Sequence, residues 1–233
     1  MERHSIESIV RALTDGQVQY LIAGGLAVVA HGYVRFTADI DLLLAMDTRN
    51  LANAVSALAA LGYRPRAPVP FEQFVDPDCR RQWIDEKRLT VFSLFSPDHP
   101  VTEIDLFIDP PLIFADAYSR AVRLEVAPET VATFCSLDDL IDLKTKGRHR
   151  PAPQNQRQPL MNASNQSDPL SVHSWEHGWD EHERMQLKRL ARLPLADKLA
   201  WLEKAHRAVL RSGALPAPCT DDPASPKPRR ISV

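Results

Sequence analysis

The chain has 233 residues, the length of one ordinary domain with an appendage. Hydrophobic residues make up 44% and charged residues 25%, which excludes collagen-like, rod-like and wholly disordered chains. Net charge is −2, but 16 Lys and Arg face 21 Asp and Glu through residue 150 and 12 face 9 beyond it, so the two halves carry opposite signs and neither is an obvious nucleic-acid grip. No apolar run nears the ~20 residues of a membrane-spanning helix, and the charged start, Met1-Glu2-Arg3-His4, lacks a signal core. A cytoplasmic protein without a membrane partner is expected. Cys79, Cys135 and Cys219 are too scattered for a disulfide framework or a zinc site.

In chain order, the apolar run Val18 to Ala23 predicts a strand ending at Gly24-Gly25, followed by a helix over Leu26 to His31 and a strand over Asp39 to Leu44. Asp47 or Thr48 then caps a helix whose Leu51, Val55, Leu58 and Leu61 recur at helical spacing until Gly62. After a loop holding Pro65, Pro68, Pro70 and Pro77, Leu89 to Phe95 and Thr102 to Ile108 read as two β segments able to form a hairpin. Ala121 to Val126 is a weaker strand, and Leu137 to Lys146 is a helix with Ser136 or Asp138 near its start. Residues 150–172, rich in Pro, Gln and Asn, read as a linker. A helical segment over 173–212 is split by Pro194, with Leu195, Leu199, Leu202 and Val209 on one face, and a Pro-rich tail spans 213–233. Residues 1–149 are thus one α+β domain and the remainder a helical appendage.

The chemistry concentrates in Gly24-Gly25, thirteen residues, then Asp39-Ile40-Asp41. Strand side chains alternate, so Asp39 and Asp41 share one face while Ile40 and Leu42 point into the core. Two adjacent anions are costly without a cation, and hard oxygen donors suit Mg²⁺. The later strand Glu103-Ile104-Asp105-Leu106 repeats the pattern. If it lies beside the first, Asp105 completes a three-carboxylate nest for two metal ions. Glu103 shares its parity; Asp105 is favoured because more apolar residues follow it. Gly24 and Gly25 let a phosphate approach the backbone at the start of the next helix.

This pattern resembles the DNA polymerase β-type nucleotidyltransferase superfamily, and within it the bacterial minimal nucleotidyltransferases, including toxin components of abortive-infection and toxin–antitoxin pairs. The likeness covers roughly residues 15–147 and is densest from Gly24 to Asp41. It implies the nucleotidyltransferase fold, a mixed β-sheet flanked by helices. It further implies Asp39 and Asp41 as metal ligands, Asp105 as third carboxylate and general base, and Gly24 and Gly25 as a cradle for nucleotide phosphates. The implied activity is Mg²⁺-dependent transfer of a nucleoside monophosphate from a nucleoside triphosphate to a hydroxyl of RNA, tRNA included, or of protein. Ser136 to Lys144 resembles the family's helix after the core, which makes Lys144 a candidate phosphate contact; the other reading is a solvated charge. Thr37 shares the parity of Asp39 and could present a hydroxyl to the nucleotide, while Arg35 either contacts it or pairs with an acid. His31 reads as a packing or capping residue.

The chain departs from the family after Lys144, where Gly147-Arg148-His149-Arg150 runs into Pro, Gln and Asn. The segment from Trp179 to Leu210 resembles a short helical protein encoded beside such enzymes, so the chain is expected to carry an antitoxin-like contact in its own C-terminal helices. Trp175, Trp179 and Trp201 read as core or docking residues, and His173, His177 and His182 lack metal-ligand spacing.

Overall fold

The computed structural model describes residues 2–33, 35, 37–110, 112–148 and 192–212. The expected linker, the tail and the segment with Trp175, Trp179, His173, His177 and His182 lie outside the described residues.

In chain order the elements are α1 (Arg3–Asp15), β1 (Tyr20–Ile22), α2 (Gly24–Ala30), β2 (Asp39–Leu44), α3 (Thr48–Ala60), β3 (Arg64–Pro65), a 3₁₀ turn (Phe71–Val75) and α4 (Pro77–Lys87). They continue with β4 (Val91–Phe95), β5 (Glu103–Phe107), α5 (Phe114–Ser119), β6 (Val122–Ala127), β7 (Thr130–Phe134), α6 (Leu137–Arg148) and α7 (Leu195–Ser212). Seven strands form one sheet in the order β3-β4-β5-β2-β1-β7-β6. It is mixed: β2 runs parallel to β5 and β1 to β7, and the other neighbours are antiparallel. The α+β class with a helix-flanked mixed sheet is therefore the architecture observed.

The centre of the sheet follows from apolar alternation. Ile40 and Leu42 on β2, with Ile104 and Leu106 on β5, are buried, and the acids between them are half-exposed. Hairpin pairing of β4 with β5 is as expected, Leu94 opposite Ile104 and Phe92 opposite Leu106. Asp47 is the α3 cap, accepting from the Asn50 amide at 2.9 Å. Asn50 is itself buried, and its Nδ2 donates to the carbonyls of Gln19 and Ala45 at 3.0 and 2.9 Å while its Oδ1 accepts from the Gln19 amide at 2.7 Å. One side chain thus ties the first turn of α3 to the outer ends of β1 and β2.

α1 is absent from the expected elements although its signal is plain: Ile6, Ile9, Val10 and Leu13 recur at helical spacing and are all buried. α4 is shorter and more polar, α5 has only six residues and β3 only two, so their patterns fall below what periodicity can reveal. At the far end, Leu195, Leu199 and Leu202 of α7 are buried in the same core as α1, α2 and β6, against which α7 packs. A boundary at residue 149 separates α7 from the domain in sequence; in space its apolar face belongs to the domain's core. Among the described residues, no helix is long and apolar enough to cross a membrane.

Candidate active site

Four acidic side chains occupy one face of two adjacent parallel strands. The register sets Asp39 opposite Glu103 and Asp41 opposite Asp105, forming two rows about 7 Å apart along the strands, with the strands themselves about 4.8 Å apart. Asp105 therefore stands directly beside Asp41. The arrangement follows from two short sequences with apolar residues at every second position, because each buried set forces the alternate set onto the open face.

The two rows differ in their partners. Glu103 is gripped by Arg66, whose Nε donates to Oε2 at 3.0 Å and whose Nη2 donates to Oε1. Among the described residues, no guanidinium or ammonium forms an ion pair with Asp39, Asp41 or Asp105. Burial, reinforced by the charges of Asp105 and Asp39, pushes the Asp41 carboxyl up to about 6; the Gly25 amide and the more distant Arg35 charge act in the opposite direction. Asp39 is also raised, by burial and then by Asp105 and Glu103. Repulsion within the cluster is thus left largely uncompensated by the protein.

The diglycine is shaped around these side chains. Gly24 has φ +58°, and a Cβ there would sit 1.7 Å from Asp41 Oδ2. A Cβ on Gly25 would stand 2.5 Å from Thr37 Oγ1. Any larger residue would displace Asp41 or Thr37, so glycine is required by the close approach, and at Gly24 also by the left-handed backbone. Thr37 Oγ1 donates to the Asp39 carbonyl at 3.2 Å, which holds it over Gly25. The Ala23 amide donates to the Asp41 carbonyl at 2.8 Å and seats the start of α2 beside β2.

Of the other residues singled out by sequence, Arg35 is exposed on the segment between α2 and β2, and Lys144 is exposed on α6, which packs against α2. His31 plays the packing role expected of it: Nε2 donates to the Cys135 carbonyl at 2.8 Å, fixing the end of α2 to the junction of β7 and α6. Ser136 is the α6 cap; the Asp139 amide donates to its hydroxyl at 3.2 Å, and its hydroxyl donates to Asp139 Oδ2 at 2.6 Å. The residue that sequence reasoning missed is Arg66. It lies in the Pro-containing stretch read as loop, and its contact with Glu103 crosses the sheet, so no local pattern signals it.

By type, the donor set suits a hard divalent cation: three carboxylates on the shared face of β2 and β5, in an ion pair with no basic group among the described residues, with the Asp39 and Asp41 carboxyls both raised. Among the described residues, however, no three His, Cys, Asp or Glu side chains are gathered closely enough to hold a metal ion. Asp41 is turned instead onto Gly24 and Gly25.

No protein-family model and no curated protein matches the chain. Among solved structures, the chain is similar to the crystal structure of ANT(2")-Ia in complex with adenylyl-2"-tobramycin, with 16% sequence identity and a TM-score of 0.39 over 89% of this chain and 98% of that one.

Proposed function

We propose that the protein is a nucleotidyltransferase that moves a nucleoside monophosphate from a nucleoside triphosphate to a hydroxyl acceptor on RNA, tRNA included, or on protein, and that it acts as the toxin part of a toxin–antitoxin pair. The observation that carries the reading is the register of β2 against β5, which sets Asp105 beside Asp41 on the face that also bears Asp39, next to the Gly24-Gly25 bend. Asp39, Asp41 and Asp105 would hold Mg²⁺, two ions when fully loaded, and the bound cation supplies neutralisation of phosphate charge.

The chain's own residues do the rest by position and charge. Gly24 and Gly25 line the triphosphate side, with Arg35, Thr37 and Lys144 as contacts to the nucleotide. A carboxylate oxygen of Asp105 accepts the proton of the acceptor hydroxyl. The acceptor oxygen bonds to the α-phosphorus, the bond from that phosphorus to the β-phosphate oxygen breaks, and pyrophosphate leaves. The antitoxin-like contact would be made within the chain by the segment that includes α7.

A second reading, a nucleotide- or RNA-binding regulator of the same fold without turnover, is favoured by one observation: the Asp41 carboxylate rests on the diglycine and the acids are not drawn together. Incubating the full chain with α-labelled nucleoside triphosphates, Mg²⁺ and total cellular RNA and protein separates the two. The enzyme reading expects label on a macromolecule and none with Asp41→Asn. Nucleotide binding without label transfer supports the second reading and removes the first.

A further inference from the structure

The glycine bend is filled by the chain's own polar side chains. Asp41 Oδ2 lies 1.7 Å from where a Cβ on Gly24 would stand, and Thr37 Oγ1 lies 2.5 Å from where a Cβ on Gly25 would stand. The two groups differ in kind. Thr37 is neutral and tied by its hydroxyl to the Asp39 carbonyl at 3.2 Å, whereas Asp41 is an acid whose carboxylate is favoured by the Gly25 amide. A carboxylate oxygen that accepts from a backbone amide uses the donor a phosphate oxygen would use, and in the same way. We propose that Asp41 is a built-in anionic plug of the Gly24-Gly25 bend, and that a nucleotide phosphate enters the bend only by displacing its carboxylate. The inference rests on the reading of the bend as a phosphate cradle; it requires no bound cation.

The surroundings make the plug releasable. The main chain of Asp41 is locked, since it sits in register with Asp105 on β5 and its carbonyl accepts from the Ala23 amide at 2.8 Å. What can move is the side chain, by rotation between staggered conformers, and the residue is half-buried, which leaves it a way out to solvent. Among the described residues, no guanidinium or ammonium pairs with the carboxylate. Burial and the charges of Asp105 and Asp39 act against its charge, so it rests on the bend against repulsion.

A plug differs from simple charge repulsion in that it depends on the space the side chain fills. The experiment titrates the ¹⁵N,¹³C-labelled full chain with inorganic triphosphate in EDTA, so that no divalent cation takes part, and follows the Gly24 and Gly25 amides and the Asp41 Cγ resonance. Asp41→Ala, which empties the bend, is expected to bind triphosphate about tenfold more tightly than wild type, the equivalent of one charge-assisted hydrogen bond. Asp41→Asn removes the same charge but keeps the bend filled, and Asp105→Asn removes a neighbouring charge; both are expected to stay within about threefold of wild type at physiological ionic strength. Equal gains in Asp41→Ala and Asp41→Asn overturn the plug and leave the phosphate cradle standing. In wild type, Asp41 Cγ is expected to shift in step with the Gly25 amide as triphosphate is added; a Gly25 amide that shifts while Asp41 Cγ stays still overturns the plug without recourse to any variant. Failure of a different kind, Gly24 and Gly25 amides unmoved by triphosphate even in Asp41→Ala, removes the cradle reading itself and the plug with it.

Discussion

The centre of the sheet and its β6 edge are built from the same core but respond to substitution with opposite sign. At the edge, α7 inserts Leu195, Leu199 and Leu202 among α1, α2 and β6, and every buried methyl there favours the folded state. At the centre, β2 and β5 bury Ile40, Leu42, Ile104 and Leu106 on one face and carry Asp39, Asp41 and Asp105 on the other. Asp41 is held at a free-energy cost, as its raised carboxyl shows. A region that works against folding is where function belongs, because a merely structural strand would gain by carrying Asn or Thr in those positions.

The largest expected effect breaks the comparison at its edge. Leu199 is 3% exposed, so Leu199→Ala should cost about 2 to 5 kcal/mol in urea denaturation followed by far-UV circular dichroism. An unchanged midpoint would mean that α7 folds as a body separate from the sheet. At the centre, Asp41→Asn should do the reverse. A carboxyl raised from 3.8 to about 6 leaves the folded state unpenalised below the unfolded value and loses that advantage as pH climbs through the folded one. Wild type is then less stable than the Asn variant by roughly 3 kcal/mol above pH ~7, and the gap closes below pH ~4. Denaturation midpoints at pH 8, 6 and 4 check the sign; a variant less stable than wild type at pH 8 contradicts it.

Between these lies Asn50→Ala, which strands the Gln19 amide and the Ala45 carbonyl at the outer ends of β1 and β2 and leaves the Gln19 carbonyl with the Ala45 amide as its donor. A loss of about 1 to 3 kcal/mol is expected, independent of pH, with faster amide exchange at Gln19 as a local marker. The smallest effect sharpens the contrast within α7 itself. Arg207 pairs with Glu203 one turn earlier at 2.6 Å, but on the solvent side, so Arg207→Ala should move the midpoint by no more than about 0.5 kcal/mol. A larger shift would show that α7 is held by its charges as much as by its leucines.

Much of the site was legible because it rests on local rules. Alternation in Asp39 to Leu44 and Glu103 to Phe107 dictated which residues share a face, and the observed strand of β2 has the expected bounds. The glycines were legible as a tight approach, though the groups that approach them in the structure are the side chains of Asp41 and Thr37. The role of Glu103 was not legible. Parity makes it equal to Asp105; the register, which sets Asp105 and not Glu103 opposite Asp41, and the crossing of Arg66 from the sheet edge separate the two. Likewise α7, read as an appendage because Pro-rich sequence precedes it, carries its leucines into the domain's core, and no periodicity within a helix states which surface will receive it.

The amino-acid sequence alone determined the half-buried strands, the paired carboxylates on one face and the glycine bend beside them, because side-chain alternation and backbone sterics act over a few residues. Tertiary structure alone decided that β2 and β5 are parallel neighbours in a register that sets Asp41 beside Asp105, that Arg66 engages Glu103, and that α7 seats against β6. Those outcomes depend on how separate apolar faces are buried together, and burial is a property of the assembled chain.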